Sequence, residues 1–213
     1  AIQLNNSFGV EECYQAVNMI GADALVLHLN PLQEAIQQGG NTNFKHLLSQ
    51  IQKVCSQLTF PVIVKETGCG MSKEVALKLK KAEVAGIDVS GAGGTSWAIV
   101  EAAITNDRIY QKIGNRFAEW GIPTAESLIM TRAVAPDLLL IASGGIRSGI
   151  DVAKAIALGA DAVGLALPLL KPATESADMV AAIIRRILTE LEIAMFCIGA
   201  ENLRELKNTS FLE

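Results

Sequence analysis

The chain of 213 residues lacks a charge excess. Its 18 Lys and Arg against 22 Asp and Glu give a formal net charge of -4. Without a basic surplus, no nucleic-acid partner is expected. Cysteine is sparse and unpatterned: Cys13, Cys55, Cys69 and Cys197 show no CxxC spacing. That argues against a zinc site or a disulfide framework and suits a reducing cytoplasm. There are 2 histidines and 5% aromatic residues, and neither a histidine pair nor a carboxylate pair stands out for acid–base work. No apolar run reaches the ~20 residues that span a bilayer, and no signal-peptide pattern is visible. These absences predict a soluble, cytoplasmic protein with no membrane partner.

What is present is apolar and regular. Half of the residues are hydrophobic, with Ala, Ile, Leu and Val dominant, the composition of parallel α/β architecture. The length suits a single domain over residues 1–213. The clearest unit is Leu138–Pro168. Leu138 to Ile141 reads as a strand buried on both faces, because nothing alternates. Ser143-Gly144-Gly145-Ile146-Arg147-Ser148-Gly149 turns the chain, and Ser148 with Asp151 predicts a capping box opening a helix. That helix ends at Gly159, and Ala162–Ala166 follows as a second buried strand. Free N–H groups in such a turn, beside a helix N-terminus and an arginine, suit a phosphate.

The same alternation runs along the chain. Strands are expected at Ala1–Leu4, Ala24–Leu29, Pro61–Val64 and Ile87–Val89, with helices at Glu11–Ile20, Phe44–Leu58 and Lys73–Glu83. Asn106–Arg116, the least apolar stretch, reads as an excursion from the scaffold. A helix then runs from about Thr124 to Val134, and a long one over Ser176–Cys197 closes the chain. Alternating strands and helices imply parallel strands with right-handed crossovers. The expected fold is α/β, a TIM (β/α)8-type barrel with about six of the eight strand–helix units present. A doubly wound open sheet is the alternative.

Polar residues interrupt the apolar pattern where strands end, the place where barrel enzymes keep their chemistry. His28, Asn30, Gln33 and Glu34 follow the second strand, and Lys65 ends the third. Ser90 and Thr95 follow the fourth, and Gly145 and Arg147 follow the fifth. An unpaired ammonium after a buried run is costly, so Lys65 needs an anionic partner: Glu66, or a ligand that carries or develops negative charge. Glu34 suits Mg²⁺, a hard cation often shared with substrate phosphates, or is a solvated first-turn glutamate. His28 is a site residue or a satisfied core histidine. Trp97 and Trp120 read as packing residues, and His46, inside a helix, has no assigned role.

The motifs HLNPLQEAIQ (28–37), VKETGCGMS (64–72), DVSGAGGTSWA (88–98), EWGIPTAES (119–127), ASGGIRSGIDVAKAIALGADAVGLALP (142–168) and AMFCIGAENLRELK (194–207) resemble, in order, those of the type 2 isopentenyl-diphosphate isomerases. HLNPLQE with GAGGTSW is the specific part, since many flavin barrels share GGIR. The resemblance implies that Lys65, Ser90, Thr95, Gly145, Ile146, Arg147, Ala166 and Leu167 contact FMN, with Arg147 and its glycine turn on the phosphate. It implies that Gln33 is a substrate-contacting, catalytic glutamine, that His28 and Asn30 line the substrate pocket, and that Glu34 holds Mg²⁺. The implied reaction interconverts isopentenyl and dimethylallyl diphosphate on reduced FMN, with NAD(P)H as reductant, in a homo-oligomer. The net reaction is not redox, and a cofactor carrying the proton chemistry explains why no acid–base pair stands out.

The family pattern includes two further strand–helix units at its N-terminus, so residue 1 here reads as the start of the third. QQGGN at 37–41 departs from the acidic loop of many relatives. For these 213 residues alone, weak flavin binding and little turnover are expected, and two other functions remain: an FMN-dependent oxidoreductase of a small acid on the same barrel, and a non-catalytic barrel fragment.

Overall fold

A computed structural model describes residues 1–209. In chain order it contains a short 3-10 helix (Ile2–Asn5), α1 (Val10–Ile20), β1 (Leu25–His28), α2 (Pro31–Ile36), α3 (Leu47–Gln57), β2 (Val62–Lys65), α4 (Lys73–Lys81) and β3 (Gly86–Asp88). There follow α5 (Trp97–Ile104), α6 (Arg108–Arg116), α7 (Thr124–Val134), β4 (Leu139–Ala142), α8 (Gly149–Ala157), β5 (Ala162–Val163), α9 (Leu167–Glu175), α10 (Ala177–Ile198) and α11 (Leu203–Lys207). The strands form one parallel sheet in sequential order, β1 to β5, with Val64 beside Ile87 and Ile87 beside Leu140. A doubly wound sheet reverses its order at a switch point. This one does not, so the chain is a partial TIM-type barrel.

Strand alternation sets the two faces. Leu27, Val62, Val64, Ile87, Leu140 and Ala142 are buried against the helices, where Ile51, Leu79 and Leu128 complete the core. Val26 and Leu139 point the other way and remain exposed. That second face is the lumen of a barrel, and the outer edges of β1 and β5 are unpaired among the described residues.

Local signals act as expected at several ends. Ser148 accepts from Asp151 N at 3.1 Å, and Asp151 accepts from Ser148 N at 3.0 Å, forming the capping box of α8. Ser72 and Ser176 cap α4 and α10 by accepting from Val75 N and Met179 N. Gly21 closes α1 in the left-handed region, the conformation for which glycine carries no steric cost.

Several segments differ from expectation. Ala1–Leu4 is not a strand; the 3-10 turn satisfies its own backbone (Leu4 N to Ala1 O, 2.9 Å) while burying Ile2 and Leu4. The sheet therefore has five strands. The helix expected from Phe44 begins at Leu47, because His46 sits outside it at φ 62° as the residue before the first turn. The last strand stops at Val163, since β4 is its single neighbour and Gly164 leaves the sheet after donating to Ala142 O. The excursion at Asn106–Arg116 contains α6, started by Asp107 accepting from Ile109 N at 2.7 Å and packed on α5.

Candidate active site at the carboxyl ends of the strands

The loops leaving β2, β3, β4 and β5 open on one side of the sheet and enclose a cavity of about 620 Å³. All eight positions expected to contact a cofactor line it: Lys65, Ser90, Thr95, Gly145, Ile146, Arg147, Ala166 and Leu167. His28 and Gln33 line it too. Asn30 and Glu34 do not. They stand behind Gln33, and the Asn30 Nδ2 donates both to Gln33 Oε1 (3.2 Å) and to Glu34 Oε1 (3.1 Å). Asn30 is buried and its Oδ1 has no partner among the described residues.

One end of the cavity is built of backbone. The N–H groups of Gly144, Gly145 and Ile146 make no hydrogen bond among the described residues, nor do those of Leu165 and Ala166 where α9 begins. A side chain at Gly94 would place its Cβ 2.8 Å from Gly145 N, so two loops meet here backbone to backbone. Arg147 reaches over this contact, its Nη2 donating to Gly93 O at 2.9 Å. Free donors with a guanidinium fit a phosphate, and the cradle a Cβ would fill fits a cofactor phosphate held by main chain. The N-terminus of α8 does not take part as expected: Asp151 occupies the N–H groups of Arg147 and Ser148.

At the other end, Lys65 Nζ donates to the Glu66 carbonyl at 2.6 Å. It makes no ion pair among the described residues. The Glu66 carboxylate is engaged elsewhere, accepting from the N–H groups of Thr67 and Gly68 at 2.6 Å and of Cys69. Burial pushes the Glu66 carboxyl up from its ordinary value against those donors and Lys65. Burial, with Glu66 adding to it, pushes the Cys69 thiol up to about 11. Burial also lowers His28, and Lys65 acts in the same direction. His28 is therefore held toward its neutral form.

Sequence reasoning missed three supports. Glu101 accepts from Gln33 Nε2 at 2.9 Å, so Gln33 is held between Asn30 and Glu101 with its amide orientation fixed. Trp97, read as a packing residue, is exposed and lines the cavity. It lies one helical turn before Glu101, a spacing that puts both on one face of α5 and was available as a signal. Asp88 Oδ1 accepts from Ser143 Oγ at 2.7 Å and from Ser90 N at 3.1 Å, tying the ends of β3 and β4 together. Trp120 packs edge-on against Phe117 outside the cavity.

Glu34 is one carboxylate rather than a cage, and Asn41 N donates to its Oε2 at 2.6 Å. No group of three or more His, Cys, Asp or Glu is placed to hold a metal among the described residues. A single carboxylate fits Mg²⁺ only where phosphates and water supply the other ligands.

Known proteins are similar to this chain in sequence or in fold. The chain is 49% identical over 213 residues to the isopentenyl-diphosphate delta-isomerase of Nostoc sp. (strain PCC 7120), covering 100% of this chain and 61% of that protein. It is 46% identical over 201 residues to the enzyme of that name from Pyrococcus furiosus, covering 94% of this chain and 51% of that one. The chain thus spans between about half and about three-fifths of the length of these relatives. Among solved structures, a lactate oxidase of Pediococcus acidilactici superposes with a TM-score of 0.68 at 21% identity, covering 99% of this chain and 57% of that one. A flavocytochrome b2 variant with benzoylformate gives 0.65 at 22% identity, covering 92% and 49%. At such identities the two structures establish the fold. The model of FMN-dependent dehydrogenases matches residues 10–213. A match of that extent, on a partial barrel whose strand ends converge on a cavity lined by open main-chain N–H groups, places the chain in the FMN-dependent dehydrogenase family.

Proposed function

We propose that this chain works as an isopentenyl-diphosphate delta-isomerase, holding FMN in the cavity and moving the double bond between isopentenyl and dimethylallyl diphosphate. The observation that carries the reading is the meeting, in one cavity, of the phosphate cradle and Lys65 with the oriented amide of Gln33. The similarity to isomerases over 100% of the chain supports the choice of substrate.

When bound and reduced, FMN supplies the acid–base chemistry at the allylic carbons. The chain's own residues bind and orient. Gly144, Gly145, Ile146 and Arg147 would hold the cofactor phosphate, with Ser90, Thr95, Ala166 and Leu167 along the cofactor. Lys65 is a fixed cation that favours negative charge developing beside it. Gln33, with one amide hydrogen committed to Glu101 Oε1, presents its remaining polar edge to the substrate. Neutral His28 lines the polar side of the substrate pocket, and buried Asn30 acts from behind it by donating to Gln33 Oε1. Glu34 would hold Mg²⁺ together with the substrate diphosphate, and NAD(P)H serves as reductant of the flavin. The reading includes a homo-oligomer. It also includes a cytoplasmic setting; no helix among the described residues is long and apolar enough to cross a membrane.

The test supplies the purified chain with FMN, Mg²⁺, NADPH and isopentenyl diphosphate and follows the product by NMR. Dimethylallyl diphosphate should accumulate, slowly for a chain that spans 61% of the Nostoc relative, without stoichiometric NADPH or oxygen consumption. Stoichiometric consumption would instead indicate an oxidoreductase, and a colourless protein giving no product overturns the reading.

A further inference from the structure

The phosphate cradle is braced from outside by a residue that touches no part of the cavity. Glu190, on α10, accepts from Gly149 N at 2.7 Å across 41 residues of sequence. Gly149 is the first residue of α8 and directly follows the Arg147-Ser148 segment. The two helices meet there without room for a side chain: a Cβ on Gly149 would collide with Ile187 O and Leu191 N of α10. Asp151 holds the two preceding N–H groups, those of Arg147 and Ser148, at 3.0 Å each. Three successive donors at the start of α8 are thus closed by carboxylates of this chain, while those of Gly144, Gly145 and Ile146 stay open toward the cavity. The contrast separates the segment that receives an anion from the segment that is anchored.

We infer that Glu190 is a positioning residue for the cofactor phosphate: by fixing Gly149 N–H against α10, it sets the height of the turn that carries Arg147 and the open donors. This rests on the reading that the cradle takes the FMN phosphate. Carboxylates at a helix N-terminus also repel a second anion there, which confines the phosphate to the turn. The neighbouring Arg186–Glu190 ion pair, at 3.4 Å on the surface, is incidental to this role, as exposed i,i+4 pairs contribute little.

Flavin fluorescence titrations of the full chain test the inference, with FMN and riboflavin compared for each variant. Glu190→Met keeps the length of the side chain but cannot accept; it should lower FMN affinity about tenfold, the scale of one charge-assisted hydrogen bond, and leave riboflavin affinity unchanged. Glu190→Gln, whose amide oxygen can still accept from Gly149, should recover most of the FMN affinity, and Arg186→Ala should behave as wild type. FMN affinity unchanged in Glu190→Met, or FMN and riboflavin affinities falling together, overturns the inference. Wild-type protein that binds riboflavin as tightly as FMN overturns the phosphate reading itself, and this one with it.

Discussion

Glu66 offers a demanding test of the site's construction, because its carboxylate works in three directions. It gathers the N–H groups of Thr67, Gly68 and Cys69 onto one oxygen, its burial pushes its own carboxyl up, and it helps push Cys69 up. Glu66→Leu removes the acceptor and leaves three partly buried donors. At roughly 1–2 kcal/mol per lost bond, the loss sums to about 3–6 kcal/mol, a large share of a typical domain's stability of about 5–15 kcal/mol. Glu66→Gln keeps an acceptor and removes the buried charge, so its loss should be smaller. The pH dependence separates the two effects. A carboxyl raised in the folded state binds its proton more tightly there than in the unfolded chain. Its contribution is therefore fully present below the ordinary 4.5 and declines as pH rises toward the folded value. Urea denaturation as a function of pH should show this decline in the wild type and its disappearance in Glu66→Gln. A Glu66→Leu loss below about 1 kcal/mol would refute the account of Glu66 as the anchor of the loop, since a single net hydrogen bond is worth about that much.

Three further outcomes follow from the geometry. Cys69 should react slowly with thiol reagents at neutral pH, because its thiol is pushed up to about 11; Glu66→Gln should accelerate labelling, and equal rates would contradict the charge coupling. Arg147→Ala should weaken FMN binding by about tenfold, the loss of one charge-assisted contact, while riboflavin binding stays unchanged by the same fluorescence titration. At Asp161, burial opposes ionisation, but bonds from Lys207, Leu140 N–H and Arg132 outweigh it and hold the carboxyl below its ordinary 3.8. The stabilisation is present above 3.8 and lost as pH falls through the folded value, so Asp161→Asn should flatten the acid limb of thermal unfolding curves.

Much of the architecture was readable because it depends on local periodicity. Apolar runs such as Val62–Val64 and the Ser148/Asp151 cap signal their own structure, and each strand-end polar residue follows from where the run stops. What escaped depended on neighbours distant in sequence. Ala1–Leu4 has the composition of a strand, yet turning on itself satisfied its backbone. The short helix Pro31–Ile36 was hidden by its length, although Pro31 at its first turn is a usual start signal. Glu101 could not be linked to Gln33 by spacing, since 68 residues separate them. Asn30 and Glu34 were grouped with the cavity by their position in HLNPLQE, whereas α2 turns both behind Gln33.

Ser90 holds the backbone at φ 38°, a region in which an L-residue other than glycine stores about 1–3 kcal/mol of strain. Its amide is tied to Asp88 and its carbonyl accepts from Gly70 N at 3.0 Å, so neighbours on both sides enforce the conformation. The protein thus carries a serine hydroxyl at the cavity wall where a glycine would fit more comfortably. The hydroxyl that position 90 offers the cavity and the backbone conformation that the fold demands there point in opposite directions. A Ser90→Gly substitution should raise the unfolding temperature while loosening the bound cofactor, making this residue a place where durability can be traded directly against grip.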